Sequence, residues 1–321
     1  MKTIPGDQPL AASATGGKTL PFHREMSFEY GVLQNIAPGV RRLVCPNASP
    51  FTFKGTNTYV IGHGEVAVID PGPDAPEHID NLLSELSQTG EAVTQILITH
   101  VHSDHSGGAM HLHRKTGAPI AGRARIGAER NEPGRSPSGK SFLTLLDYHR
   151  ELSDGDMIAG AGFELVALHT PGHAPDHICY RLNSGRVLFS GDHVMGWNTT
   201  VIAPPEGHMG SYIRSLEKLL AGTEIMYLPG HGGAIDEPQR FVKALIMHRR
   251  WREAEIAECL RTGCNTIELI VPRIYGQLES ALSGAAALAV YAQIELMIEK
   301  GIVATETRQK ATMESAFVLT G

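Results

Sequence analysis

Within six positions, His100-Val101-His102-Ser103-Asp104-His105, this chain places three imidazoles and a carboxylate, directly behind the apolar run Ile96-Leu97-Ile98. The run has the character of a buried strand that ends at His100, and a strand end holds side chains in set directions. Alternate residues of an extended chain share a face, so His100 and His102 point to one side. Asp104 and His105 fall past the turn and serve a second point in space. The stretch therefore offers two adjacent half-sites for metal. Imidazole with carboxylate suits zinc, with iron or manganese as substitutes. One solvated histidine needs no explanation; four ligand-type side chains in six positions do.

The pattern T-H-x-H-x-D-H, from Thr99 to His105, resembles the metal signature of the metallo-β-lactamase superfamily. That resemblance implies further ligands in a set order downstream, and residues of the right type stand there. They are His173 in Thr170-Pro171-Gly172-His173, Asp192 in Phe189-Ser190-Gly191-Asp192 and His231 in Leu228-Pro229-Gly230-His231. Each follows a β-type apolar run, over residues 163–168, 186–189 and 225–228, and the resemblance spans roughly residues 28–235. It implies a first metal on His100, His102 and His173, a second on Asp104, His105 and His231, and Asp192 bridging the two. It also sets Asp70, in Ile69-Asp70-Pro71-Gly72, behind the ligands as a hydrogen-bonding support and not as a ligand.

The remaining composition bounds the answer. The 321 residues suffice for one large domain and one small one, at about 100–200 residues per domain. A hydrophobic share of 42% with 19% charged residues is that of a soluble globular chain. The net charge of -6 supplies no global basic field for nucleic acid or for an anionic membrane. Cys45, Cys179, Cys259 and Cys264 form no CxxC pair and no disulfide framework. A reducing, cytoplasmic setting with isolated buried thiols is expected. No apolar leader follows Lys2 and no apolar run approaches 18 residues, so neither a signal peptide nor a transmembrane helix is expected. Residues 1–20, small and polar, are expected to form a disordered tail before a catalytic domain over residues 21–236.

Short β-type runs at residues 40–44, 57–62 and 65–69 open that domain. Pro76, then Ile79, Leu82, Leu83 and Leu86 at helical spacing, with Gly90 as a stop, mark an amphipathic helix. Residues 107–116 read as a short helix with His111 and His113 on different faces, as surface positions. The segment 123–141, rich in Gly, Pro and Arg, reads as a solvated loop. The functional alternative is a mobile flap whose Arg123 and Arg125 meet an anionic substrate. Asn183-Ser184-Gly185 is a hairpin turn that ties His173 to Asp192. His177, in Ala174-Pro175-Asp176-His177, is close enough in sequence to reach the metal pocket, either as a proton donor or as a structural histidine holding a loop carbonyl. Trp197, in the loop 196–205 beside Asp192, could wall a substrate pocket, though packing explains most tryptophans. Tyr212, Ile213, Leu216, Leu219 and Leu220 mark another amphipathic helix.

After Pro238 the chain turns helical. Helices are expected over residues 239–262, from a capping box at Asn265-Thr266-Ile267-Glu268 to 275, and over 279–300, with β-like runs at 302–305 and 316–319. Three helices and a β-hairpin are the parts of a winged helix, here over residues 237–321. Behind a domain that carries T-N-T-Y-V-I-G (residues 56–62) and T-T-V-I-A-P-P (residues 199–205), this tail resembles the β-lactamase-like-2 family. The fold class so implied is α/β, an αβ/βα four-layer sandwich with a small C-terminal winged-helix domain. The third helix departs from the pattern: Ser283-Gly284-Ala285-Ala286-Ala287-Leu288-Ala289-Val290 is too small and apolar to read a DNA groove. It is expected to pack against the catalytic domain or a second subunit, as in a homodimer.

The resemblance implies hydrolysis by a metal-bound hydroxide at a dinuclear site holding two divalent ions, most simply Zn2+. Asp104 would both bind metal and orient the hydroxide, and His177 is a candidate donor to the leaving group. The favoured substrate is a small molecule with an ester, thioester or lactone bond. The alternative is a single-strand-specific endoribonuclease. Single-stranded RNA requires a cationic track, here a convergence of residues 123–140 with 248–252. A non-catalytic winged-helix binding protein with a vestigial metal site is disfavoured by the intact ligand set.

Overall fold

The computed structural model describes residues 20–125, 146–183, 186–278 and 280–321. Strands β1 (Gln34–Ala37), β2 (Val40–Val44), β3 (Asn57–Ile61) and β4 (Glu65–Ile69) form an antiparallel meander. Helix α1 (Pro76–Gln88) then crosses to β5 (Ala92–Leu97), parallel to β4. The one-turn helix α2 (Ser103–Ser106) and α3 (Ala109–Thr116) lead to β6 (Ile120–Gly122), and β7 (Arg150–Glu151) completes a seven-stranded sheet in chain order. A second sheet holds β8 (Met157–Gly160), β9 (Phe163–His169), β10 (Ile178–Leu182), β11 (Val187–Gly191) and, after α4 (Met209–Leu220), β12 (Met226–Pro229). Its order is β12-β11-β10-β9-β8.

Strand alternation builds the layers. Phe163, Leu165 and Ala167 of β9 face Tyr59, Ile61, Ala67 and Ile69 of the first sheet in one core between the sheets. The alternate residues serve the outer faces. Val60, Val66 and Val68 pack under Ile79, Leu82 and Leu112 of α1 and α3. Cys179, Leu188 and Tyr227 pack under Tyr212, Leu216 and Leu219 of α4. Two sheets between two helical layers make the αβ/βα sandwich.

The C-terminal unit comprises α5 (Pro238–Arg261), α6 (Ile267–Tyr275), α7 (Ser280–Glu299) and the antiparallel pair β13 (Val303–Thr305) and β14 (Phe317–Leu319). It has a core of its own around Ile270, Ala286, Ile294, Met297 and Phe317. It is also fused to the sandwich. Phe241, Val242 and Leu245 of α5 and Ala292 and Leu296 of α7 join the cluster that holds Met209, Tyr212 and Leu216 of α4. The boundary expected at 236/237 thus falls just ahead of α5, inside a shared core.

Four local expectations are corrected. Leu20, assigned to the tail, is buried in the α4 cluster; residues 1–19 lie outside the described residues. Thr266 precedes α6 but its side chain caps nothing. The hairpin claims this segment instead: Asn265 Nδ2 donates to Glu306 Oε1 at 2.7 Å, and Thr266 pairs with Ala316. Leu282–Glu299 has the length and apolar composition of a membrane span, which the sequence reading denied to every run. Its packing against α4, α5 and α6 accounts for that composition. Finally, Cys45, Cys179 and Cys259 are buried and unbonded, whereas Cys264 is only partly buried.

Candidate metal centre

The expected ligands gather on one rim of the sandwich because strand directions send them there. Strands β9 and β11 both run antiparallel to β10, and β12 runs parallel to β11, so three strands of the second sheet end together. The parallel strands β4 and β5 do the same in the first sheet. Asp70 follows β4, His100 and His102 follow β5, and α2 carries Asp104 and His105. His173, Asp192 and His231 stand just beyond β9, β11 and β12. Cross-sheet bonds close the rim. The Ile178 N–H donates to the Thr99 carbonyl at 2.7 Å, and the Tyr180 hydroxyl donates to the Ile98 carbonyl at 2.7 Å. Asn57 Nδ2 donates to the Pro229 and Gly232 carbonyls at 2.9 and 2.8 Å, holding the turn that carries His231.

The ring nitrogens form two groups. His102 Nδ1 lies 2.8 Å from His100 Nε2 and 3.0 Å from His173 Nε2. In the second group His231 Nε2 lies 3.2 Å from both His105 Nε2 and Asp104 Oδ2. Asp192 stands between them: its Oδ1 is 3.3 Å from His105 Nε2 and 3.5 Å from His231 Nε2, and its Oδ2 is 3.7 Å from His173 Nε2.

The outward nitrogens decide where each ring carries its proton. His173 Nδ1 donates to the Val201 carbonyl at 2.7 Å, His231 Nδ1 to the Gly55 carbonyl at 3.2 Å, and His105 Nδ1 to Asp70 Oδ2 at 2.8 Å. Thr99 Oγ1 gives its proton to Asp70 Oδ2 at 2.7 Å, so Thr99 Oγ1 accepts from His100 Nδ1 at 3.0 Å. His102 Nε2 faces the Glu206 carboxylate at 3.5 Å. Carbonyls and carboxylates only accept. Each imidazole therefore keeps its proton outside and turns a lone pair inward, the arrangement that metal-binding histidines require.

Five lone pairs and two carboxylates then converge on a space that holds no donor. Asp192 Oδ1 is buried without a hydrogen-bond partner, a loss of about 1–3 kcal/mol if nothing relieves it. Divalent cations relieve it, and this nitrogen and oxygen donor set fits zinc, iron or manganese. Without metal, protons are the only substitute. Burial opposes a charge on His105 and His231, but Asp192 and Asp104 outweigh it and raise both pKa values. In the all-histidine group burial prevails, and His173 is lowered to about 4.

His177 does not act as the donor expected of it. It is fully buried, its Nδ1 donates to Thr170 Oγ1 at 2.9 Å, and its Nε2 accepts the backbone N–H of Asp192 at 3.2 Å. Burial keeps it neutral. It fixes the Asp192 turn and has no proton to offer a leaving group. Trp197 is likewise 5% exposed, stacked on Phe53 at 4.9 Å and pressed against Gly232 beside His231, so it supports that turn from behind and walls no open pocket.

The basic residues are also spent on the scaffold. Arg123 Nη1 donates to the Leu152 carbonyl at 3.4 Å. Arg125 binds Asp176 Oδ1 at 3.2 Å and Glu206 Oε2 at 3.0 Å, and its side chain is almost fully covered. Residues 126–141 of the expected flap lie outside the described residues. His248, Arg249 and Arg252 are buried; Arg249 donates to the Thr200 carbonyl at 2.6 Å, and Arg252 pairs with Glu255 and covers Tyr275. Of this part of the cationic track required for RNA, Arg250 alone among the described basic side chains is exposed.

Two site residues escaped the sequence reading. Glu206 faces His102 and, with Asp176, holds Arg125; Asp176 also accepts the Val101 N–H at 2.9 Å and so braces the metal loop. Glu206 lies one residue beyond the 196–205 loop, and Asp176 adjoins the histidine that drew attention instead. Their partners are 51, 75 and 81 residues apart in the chain, so no local pattern could link them.

Gly230 shows how tightly the rim is built. A Cβ there would lie 2.5 Å from His105 Cε1 and 2.7 Å from Asp192 Oδ1. Gly230→Ala is expected to lower metal content and to cut hydrolysis at least about tenfold, both read on the purified protein. Full metal content in that variant would contradict the packing argument.

A two-sheet sandwich with a histidine and aspartate rim at its strand ends defines a class of metal-dependent hydrolases. The sequence profile of the metallo-beta-lactamase superfamily matches residues 51–231, which include all seven expected ligands, and the chain belongs to that superfamily. The Beta-lactamase-like protein 2 homolog of Caenorhabditis elegans is 30% identical over 270 residues, covering 84% of this chain and 85% of that protein. The Atrochrysone carboxyl ACP thioesterase of Aspergillus chevalieri is 30% identical over 266 residues, 78% of each. A Beta-lactamase domain protein from Burkholderia ambifaria shares the fold, with a TM-score of 0.75 over 94% of this chain and 97% of that one at 19% identity.

Proposed function

We propose that this hydrolase acts on thioesters, with esters and lactones as chemically related substrates, at a centre holding two divalent ions, most simply Zn2+. The carrying observation is Asp192, whose two oxygens face the His100-His102-His173 group on one side and the Asp104-His105-His231 group on the other. Ions bound there acidify water toward a pKa of about 7 and polarise a carbonyl oxygen.

The protein's own residues supply orientation. The outward hydrogen bonds hold all five imidazoles with their lone pairs inward before any substrate arrives. Asp104, with 31% of its side chain exposed, is the most accessible ligand and the one placed to orient the attacking water. Asp70 and Glu206 brace His105 and His102 from behind. A relative named as an acyl carrier protein thioesterase supports the carbonyl substrate class, and a carrier-bound or small-molecule acyl thioester fits it. The spent arginines weigh against the RNA reading. The helix order of residues 237–321 supports a winged-helix-like unit, and the unbonded cysteines support a reducing, cytoplasmic setting.

The test is thiol release from a panel of acyl thioesters by zinc-loaded protein, beside a short unstructured RNA, with His100→Ala prepared identically. Thiol release by the parent alone is expected. RNA cleavage by the parent alone, with no thiol released, would transfer the site to the nuclease reading. Equal activity in both proteins would remove either chemistry from this centre.

A further inference from the structure

A groove of about 1060 Å3 lies between residues 204–208, the C-terminal end of α7 and the β13–β14 hairpin. One of its walls belongs to the metal rim. The Val201 carbonyl takes the His173 proton and Glu206 faces His102, while Pro204, Pro205, Gly207 and His208, interleaved with them, line the groove. The groove and the rim are thus neighbours along one loop, although no metal ligand itself lines the groove. Ile298, Ala304, Ala311 and Val318 give the groove apolar surface, and Arg308 and Lys310 line it from the hairpin loop. Neither cation is in an ion pair among the described residues. Three carboxylates line it as well: Glu299 binds His208 at 2.7 Å, Glu306 accepts from Asn265 at 2.7 Å, and Glu295 is shared between Tyr291 and the field of Lys310.

We propose that the groove binds the phosphopantetheine arm of an acyl thioester, with the phosphate at Arg308 and Lys310 and the thioester end at the metal rim. The inference rests on the thioesterase reading and adds the leaving-group site to it. Hydrolysis adds the water oxygen to the acyl carbon, breaks the C–S bond and returns the arm as a protonated thiol. That thiol is what the groove would hold. Its volume matches the roughly 300–1,000 Å3 of sites for ligands of this size. Two cations beside apolar surface match an arm with a charged head and a largely uncharged stem.

The test compares kcat/KM for acyl-coenzyme A, an acyl carrier protein thioester and an acyl N-acetylcysteamine thioester, which lacks the phosphate. In Arg308→Ala/Lys310→Ala, the preference for the phosphorylated substrates over N-acetylcysteamine is expected to fall about tenfold or more. A fall confined to coenzyme A or to the carrier identifies the source of the arm. An unchanged preference overturns the groove assignment and leaves the thioesterase reading standing. Calorimetric titration with coenzyme A reads the groove without turnover: binding that weakens about tenfold in the double variant supports the site, and absence of binding to the parent overturns it. If the parent hydrolyses none of the three thioesters, the thioesterase reading falls, and the titration still decides the groove.

Discussion

Asp192→Ala is expected to bring hydrolysis to background and to abolish the stabilisation that zinc confers. In the parent, metal bound to the native state alone raises stability by about 2.7 kcal/mol at a free concentration 100 times Kd. Asp192 faces both nitrogen groups, so on the proposed two-metal reading its loss would remove a donor from each. In the metal-free protein Asp192 is the carboxylate that most raises the pKa values of His105 and His231, so its loss removes their counter-charge. The variant is therefore expected to melt no higher than the metal-free parent and to show no rise when zinc is added. Melting curves with zinc and with chelator, together with thiol release, provide the check. Near-normal turnover would refute the bridging assignment.

Asp70→Asn is the second large effect, with a loss of about 10–100-fold in metal affinity or activity. Asp70 binds no nitrogen of the inner groups. Its Oδ2 accepts from His105 Nδ1 at 2.8 Å and from Thr99 Oγ1 at 2.7 Å, and its Oδ1 accepts the Thr99 N–H at 2.8 Å. Three donors converge on one buried carboxylate. An amide offers one accepting oxygen and brings two protons of its own, so at least one donor must turn away. If that donor is His105, its proton can move to Nε2 and occupy the lone pair meant for metal. Competition with a chelating dye measures the affinity. A variant that holds zinc as tightly as the parent would mean that His105 keeps its tautomer without help.

Much of this was legible in one dimension. The strands before His100, His173, Asp192 and His231 announced themselves as apolar runs, and the ligand types themselves are a chemical statement. The helices α1 and α4 followed from apolar spacing. What failed was inference from side-chain type to role. His177, Trp197 and Arg125 have the right chemistry for catalysis or binding, and each is enclosed by partners that use it otherwise. The basic run at 248–252 looks exposed as text, yet Arg249 and Arg252 lie on the packed side of α5.

The sequence alone determined which residues stand at the strand ends and which metals their donor atoms suit, because a period of two and the identity of a side chain are local properties. Only the tertiary structure decided which way each imidazole faces and where its proton sits. Those depend on acceptors brought from elsewhere in the chain, such as the Gly55 carbonyl 176 residues from His231 and the Asp70 carboxylate 35 residues from His105. A hydrogen bond takes its direction from both partners, and here the second partner arrives only when the two sheets close.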